Sequence, residues 1–136
     1  MSNITEIVDV DKSMTTLKRG VMASGLNKTL SGTGPFTIFA PSDKAFDSLD
    51  KAVVEDLLNP DNKARLVDVL NVYVVAGKIR LKDLKDGEKL TTIGGRELHV
   101  QVIGNVVLVD GAQVHKNEVQ ASNGFIYALD TVMVKN

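Results

Sequence analysis

The stretch Phe36–Phe46, FTIFAPSDKAF, contains a strand, a stop signal and the start of a helix. Its first part is rich in β-branched and aromatic residues, which favours a strand. Pro41 ends the strand because proline lacks the backbone N–H that a sheet requires. Ser42 is expected to cap a short helix, with Asp43 in the first turn, where a negative charge suits the helix dipole. The stretch therefore predicts a strand followed directly by a capped helix, with Phe46 facing inward.

Helical spacing dominates the chain on both sides of this stretch. Upstream, Ile4–Val8 predicts a short amphipathic helix, and Ser13 is expected to cap a second helix that ends near Gly25. Downstream, the apolar residues within Val53–Leu58 and within Leu66–Leu70 recur at helical spacing and predict two further helices.

The second half of the chain predicts strands and hairpins. The β-branched run Val72–Val75 predicts a strand, and Glu97–Val102 alternates apolar and polar residues as a half-buried strand does. Asn123-Gly124 makes a turn before the strand Phe125–Leu129, and Val132–Val134 is a closing apolar run. Further turn pairs lie at Gly94-Gly95, Gly104-Asn105 and Asp110-Gly111. Helices first and an antiparallel sheet afterwards predict an α+β fold.

Length and composition predict one globular domain over residues 1–136. The chain is 43% hydrophobic, which excludes a disordered segment, and its formal net charge is −1. We expect no nucleic-acid partner because no run of like charge forms a basic stripe. Cysteine is absent, so disulfides and thiolate metal sites are excluded. No apolar stretch reaches the roughly 18 residues of a membrane span, and no signal peptide is visible.

Few side chains are suited to catalysis. His99 falls on the polar face of its predicted strand, and His115 and Glu118 would point to opposite faces of a strand. A metal site would need further ligands. Asp43 and Asp47 lie four residues apart on one helix face, as surface carboxylates often do, and nothing indicates a matched acid and base. The sequence therefore predicts no enzyme activity, no metal and no cofactor.

Three segments resemble, in order, the signatures of fasciclin (FAS1) domains. Thr37–Phe46 resembles the first signature, in which an apolar strand leads to Ala-Pro, a capping Ser or Thr, an Asn or Asp, and a closing Ala-Phe. Leu66–Gly77 resembles the middle region, where a Tyr-His pair precedes two valines. Asn123–Met133 resembles the second signature, in which Asn-Gly opens a strand that ends in an aliphatic-Asp pair. The resemblance covers essentially the whole chain.

The chain departs from the family pattern at its histidines. Val72-Tyr73 stands where the family commonly has Tyr-His, and Tyr127 stands where a histidine follows the Asn-Gly pair. Ala76 replaces the usual proline. A tyrosine keeps one hydrogen bond and adds apolar area, but its charge does not change near neutral pH. Tyrosine at these positions can therefore keep a structural role, whereas a role that depends on a change of charge is lost.

The resemblance implies a wedge of antiparallel β-strands packed with several short helices. It also implies an extracellular, periplasmic or cell-surface adhesion module, with a protein, matrix or surface partner and without catalysis or a cofactor. Matching family positions make Val72, Tyr73, Leu129 and Asp130 candidate binding residues, with core packing as the alternative role. A second hypothesis is a small-ligand or saccharide-binding domain, in which Tyr73 or Tyr127 lines a cleft with an exposed ring. The oligomeric state stays open.

Overall fold

The computed structural model describes residues 2–132, and their helices pack against one face of the sheet that contains the first strand of the chain. The helices are α1 (Ile4–Val10), α2 (Thr15–Ser24), α3 (Leu26–Leu30), α4 (Asp43–Asp47), α5 (Lys51–Leu58) and α6 (Lys63–Asn71). Short 3₁₀ turns lie at Pro60–Asn62 and Leu81–Asp83. The helices predicted from the apolar spacing are therefore present.

The two predicted serine caps are wrong in their contacts. Ser13 lies in the loop before α2, where its N–H and its hydroxyl both donate to Asp11 Oδ1. Ser42 occupies the N-cap position of α4, but its hydroxyl donates to Asp130 Oδ1 at 3.3 Å instead of binding the helix. The predicted end of α2 is correct, because the helix ends at Gly25, which has the left-handed conformation with φ 80°.

The strands form two four-stranded sheets. The first sheet has the order β2 (Val74–Ala76), β1 (Phe36–Pro41), β8 (Gly124–Leu129) and β7 (Val119–Ala121). The second has the order β3 (Lys89–Thr91), β4 (Glu97–Ile103), β5 (Val106–Val109) and β6 (Ala112–Gln113). The predicted turn pairs join the consecutive strands of the second sheet, and the predicted hairpins are confirmed.

The strand predicted over Val72–Val75 begins later than expected. Val72 has helical dihedral angles at the end of α6, and the Tyr73 N–H donates to the Leu70 carbonyl oxygen at 3.0 Å. This hydrogen bond closes a last turn of the helix, so the extended conformation starts at Val74. Val72 and Tyr73 therefore connect α6 to β2 and do not belong to the sheet.

A parallel pair, β1 against β8, lies at the centre of the first sheet and was not predicted. The two strands align from Phe36 opposite Gly124 to Pro41 opposite Leu129. At the start of the pair, the Phe36 N–H donates to the Asn123 carbonyl oxygen at 2.8 Å. A Cβ atom on Gly124 would lie 1.7 Å from the Phe36 carbonyl oxygen. Only glycine allows this approach.

Two apolar cores lie on the two faces of the first sheet. Ile38 and Ala40 of β1 and Ile126 of β8 pack with the helices. Phe39 and Tyr127, which alternate with them, pack with the second sheet. The period of two along each strand therefore separates the helical core from the core between the sheets.

The end of the predicted second signature is only partly described. Val132 lies beyond β8 and outside any strand. Met133 and Val134 lie outside the described residues, so the closing apolar run and the single-domain boundary at residue 136 stay predictions.

Replacement of Gly124 tests the close approach of β8 to β1. Gly124→Ala places a methyl group against the Phe36 carbonyl, and we expect a loss of about 3 kcal/mol or more in the free energy of unfolding. Gly25→Ala is the control, because Gly25 also has a positive φ but a Cβ there meets no atom within 4 Å. We expect that control to lose about 1 kcal/mol. Urea unfolding measures both, and equal losses would contradict the steric explanation.

Candidate functional site

The predicted binding residues fall into two separate regions. Val72 and Tyr73 follow α6 and lie at the wall of a large cavity. Tyr127 and Leu129 belong to β8 and are 1% and 0% exposed. Asp130 follows β8, and its side chain is 38% exposed. The structure brings Val72 and Tyr73 together on one surface but does not place Asp130 in that cavity's lining.

The cavity beside Val72 and Tyr73, called the apolar groove below, has a volume of about 430 Å³. Phe46 of α4, Val53 and Leu57 of α5 and Val69 of α6 supply its apolar walls together with Val72, Tyr73 and neighbouring residues. Arg65, Asp68 and Arg96 also line it and give it a polar margin. The groove therefore combines a large apolar surface with a few charged side chains.

The groove exists because α5 packs loosely. None of its residues is fully buried, and the Val53 side chain is 46% exposed although it is apolar. The apolar residues of α5 recur at helical spacing, yet the facing residues of α4 and α6 do not fill the space against them. The sequence shows the apolar face of this helix but not the gap beneath it.

A hydrogen-bond network surrounds Tyr127 inside the protein. Its hydroxyl lies 2.8 Å from Glu118 Oε1 and 2.9 Å from the Ile79 carbonyl oxygen and shares its single proton between these two acceptors. Burial and the Glu118 carboxylate raise the pKa of Tyr127, and the hydrogen bond from Tyr127 lowers the pKa of Glu118. Tyr127 therefore holds Glu118 and the chain at Ile79 in place and stays protonated.

A second polar cluster forms around Asp130. Asp130 Oδ2 lies 2.6 Å from His115 Nε2 and 3.9 Å from Lys44 Nζ, and its other oxygen accepts from Ser42. The hydrogen bond from His115 holds the pKa of Asp130 below its usual value. The carboxylate lies between the serine and the histidine, so the cluster lacks the serine-to-histidine hydrogen bond that activates a nucleophile.

His115 and Glu118 point in different directions, as predicted, but the predicted reason, that both lie in a strand, is wrong. His115 and Glu118 lie between β6 and β7, outside any strand. They point to different partners, Asp130 and Tyr127. His99 is exposed, as predicted. The described residues 2–132 contain no group of three side chains placed to hold a metal ion.

Asp43 has a role that its position in the sequence conceals. Its carboxylate accepts from the Thr15 hydroxyl at 2.6 Å and from the Thr16 N–H at 2.8 Å. Burial acts to raise the pKa of Asp43, but these hydrogen bonds outweigh it and lower the pKa. Asp43 therefore caps α2 from outside that helix, and it makes no pair with Asp47.

The sequence profile of the fasciclin domain matches residues 12–135. This chain belongs to the fasciclin domain family. It is 39% identical over 131 residues to the protein sll1483 of Synechocystis, which covers 96% of this chain and 72% of that protein. It is 30% identical to the transforming growth factor-beta-induced protein ig-h3 of Sus scrofa, over 98% of this chain but 19% of that protein.

A solved structure shows the same fold. It is a FAS1 domain pair from the insect cell adhesion molecule Fasciclin I, with a TM-score of 0.86 and 18% identity, covering 98% of this chain and 51% of that one. The α+β fasciclin domain predicted from the sequence is therefore confirmed. Within residues 2–132, no helix is both long and apolar enough to cross a membrane.

Removal of the Tyr127 hydroxyl tests the network around it. Tyr127→Phe removes the hydroxyl donor from the Ile79 carbonyl oxygen and from Glu118 Oε1, and we expect a loss of about 1–2 kcal/mol in the free energy of unfolding. Glu118→Gln, which keeps a neutral acceptor, should lose less. Urea unfolding of both variants and of the double variant measures the coupling. Strictly additive losses would show that Tyr127 and Glu118 do not interact.

Acid should weaken the fold through the three carboxylates with lowered pKa values. Asp43, Glu118 and Asp130 bind protons less readily in the folded chain. Their stabilisation is therefore complete above their ordinary pKa values, 3.8 for aspartate and 4.5 for glutamate, and is lost as the pH falls through the lower folded values. We expect Asp43→Asn to flatten the fall in unfolding free energy below about pH 4.

Urea unfolding as a function of pH measures this effect. Asp47→Asn is the control, because it removes a carboxylate from the same helix as Asp43. We expect the control to keep the slope of the unchanged protein. A profile of Asp43→Asn as steep as that of the unchanged protein would contradict the role of the remote cap.

Proposed function

We propose that this fasciclin domain is a non-catalytic adhesion or protein-interaction module that works outside the cell, in the periplasm or at the cell surface. The apolar groove is the observation that carries the proposal. An apolar surface of this kind, bordered by polar side chains, is typical of a docking site. The description of Fasciclin I as a cell adhesion molecule supports the same kind of role.

The partner in this proposal is a protein or another matrix or surface component that inserts apolar groups into the groove. Val72 is half-buried in the wall and is the predicted binding residue that such a partner would meet, whereas Tyr73 is 6% exposed and supports the wall from beneath. Tyr127 and Leu129 are buried and would support the fold rather than touch the partner. Arg65 and Asp68 would make polar contacts at the margin.

A small apolar ligand is the second candidate. The volume of about 430 Å³ falls in the range of about 300–1,000 Å³ typical of small-ligand sites. The predicted cleft lined by an exposed tyrosine ring is wrong, because Tyr73 and Tyr127 are only 6% and 1% exposed. A ligand would therefore contact mainly the aliphatic side chains and Phe46.

A charge placed in the groove tests the docking proposal. Val53→Glu puts a carboxylate on an apolar wall at a half-exposed position, so the fold should persist while docking is lost. We expect at least about tenfold weaker retention of protein-coated beads on immobilised matrix proteins. Met22→Glu is the matched control, because Met22 is 53% exposed and lies outside the groove lining.

Equal retention of beads coated with the Val53→Glu and the Met22→Glu variants would overturn docking through the groove. A thermal-shift screen of matrix proteins, glycans and metabolites separates the two candidate functions. If only glycans or metabolites raise the unfolding midpoint, the protein-interaction proposal falls. A metabolite whose effect disappears in Val53→Glu would favour the small-ligand function.

A further inference from the structure

A row of cations lies on the segment that follows β2. Lys78, Arg80 and Lys82 are exposed, whereas Ile79 and Leu81 between them pack against the core between the sheets. The three cations, called the cationic stripe below, occupy every second position. The stripe is not visible as a run of like charge in the sequence, because Ile79 and Leu81 separate the three cations.

The backbone of this segment is fixed by two buried hydroxyl groups. The Thr37 hydroxyl donates to the Gly77 carbonyl oxygen at 2.7 Å and accepts from the Ile79 N–H at 2.9 Å. The Tyr127 hydroxyl lies 2.9 Å from the Ile79 carbonyl oxygen. Thr37 is 0% exposed and Tyr127 is 1% exposed. The cations therefore project from a chain that is already ordered, which lowers the entropic cost of binding.

The first two cations of the stripe lie over one aromatic ring. Lys78 Nζ is 5.9 Å and Arg80 Cζ is 5.1 Å from the centroid of the Phe125 ring. This arrangement keeps two like charges close together and attracts both to the ring. Because Phe125 is 4% exposed, the ring acts as a buried support for the cations.

The stripe keeps an excess of positive charge. Arg80 lies 3.4 Å from Glu118 Oε2. The hydrogen bonds from Tyr127 and Gln120 lower the pKa of Glu118 most, and the charges of Arg80 and Lys82 lower it further. Within residues 2–132, Glu118 is the carboxylate at ion-pair distance from the stripe. Three cations against Glu118 and the exposed Asp83, which follows Lys82, leave a net positive surface on a chain of net charge −1.

We propose that the cationic stripe binds a linear acidic polysaccharide, whose sulfate or carboxylate groups recur along an extended chain. The backbone is extended at Arg80, and extended residues two positions apart lie about 7 Å from each other. Lys82 follows in the 3₁₀ turn Leu81–Asp83, so the stripe presents closely grouped cations to such a polymer. The site would add a second contact to the proposed surface function. It shares no residue with the groove lining.

The surroundings of the stripe favour a polysaccharide over other polyanions. Membrane-binding surfaces add apolar side chains that insert into lipid, but no large exposed apolar residue lies between Lys78 and Lys89. Single-stranded nucleic acids stack on exposed aromatic rings, whereas the ring beneath the stripe is buried. A saccharide chain needs neither feature to pair its anions with Lys78 and Arg80.

Affinity for immobilised heparin and polygalacturonate tests the proposal. The variant Lys78→Gln/Arg80→Gln/Lys82→Gln should bind at least one of these probes about tenfold more weakly than the unchanged protein, as expected for the loss of three exposed ion pairs. Lys28→Gln/Lys51→Gln/Lys63→Gln removes the same charge from exposed helix positions and should keep the affinity. Thermal unfolding checks that both variants are folded.

Equal weakening in the two triple variants would overturn the site, since net charge alone would then explain binding. Equal retention on uncharged dextran, or binding only to anionic lipid vesicles or to single-stranded DNA, would also overturn it. The Val53→Glu variant should keep its affinity for the acidic polysaccharide. The groove proposal and the stripe proposal can therefore fail independently.

Discussion

The contact between Gly124 and the Phe36 carbonyl is the constraint on which the structure depends. It allows β8 to lie in register beside β1, although the two strands are far apart in the sequence. Asn123, which is 5% exposed, secures the same junction. Its side chain donates to the carbonyl oxygens of Leu30 and Gly32 and accepts from the Ile4 N–H. One buried amide thus ties the first and third helices to the start of the parallel pair.

The parallel pair also explains why Tyr127, a predicted binding residue, has a structural position. In β8, alternate residues face the helical core and the core between the sheets, and Tyr127 belongs to the second group. Its ring stacks at 6.0 Å on Phe39 of β1, while its hydroxyl reaches Glu118 and Ile79. The tyrosine fills a core position and satisfies its one polar group there. Its effect on the surface is indirect, through the segments that it holds.

Two surfaces with different physical properties result from this framework. The apolar groove depends on incomplete packing between α4, α5 and α6, so close packing does not fix its walls. The cationic stripe depends on a backbone pinned by Thr37 and Tyr127, so its charges are presented in a fixed order. The two surfaces share one support, because Val72 and Tyr73 of the groove and Ile79 and Tyr127 beneath the stripe all pack in the core between the sheets.

The sequence by itself determined the element types, the hairpins and the family, because these follow from local spacing and turn residues. Phe36–Phe46 and Asn123-Gly124 are local signals, and both lie where they were expected. The tertiary structure alone decided the parallel pairing, the capping of α2 by Asp43, the pairing of His115 with Asp130 and the burial of Tyr73 and Tyr127. Each joins residues distant in the chain, or depends on how closely such residues pack. Local periodicity reports which face of an element is apolar, but it does not report which partner covers that face or how completely.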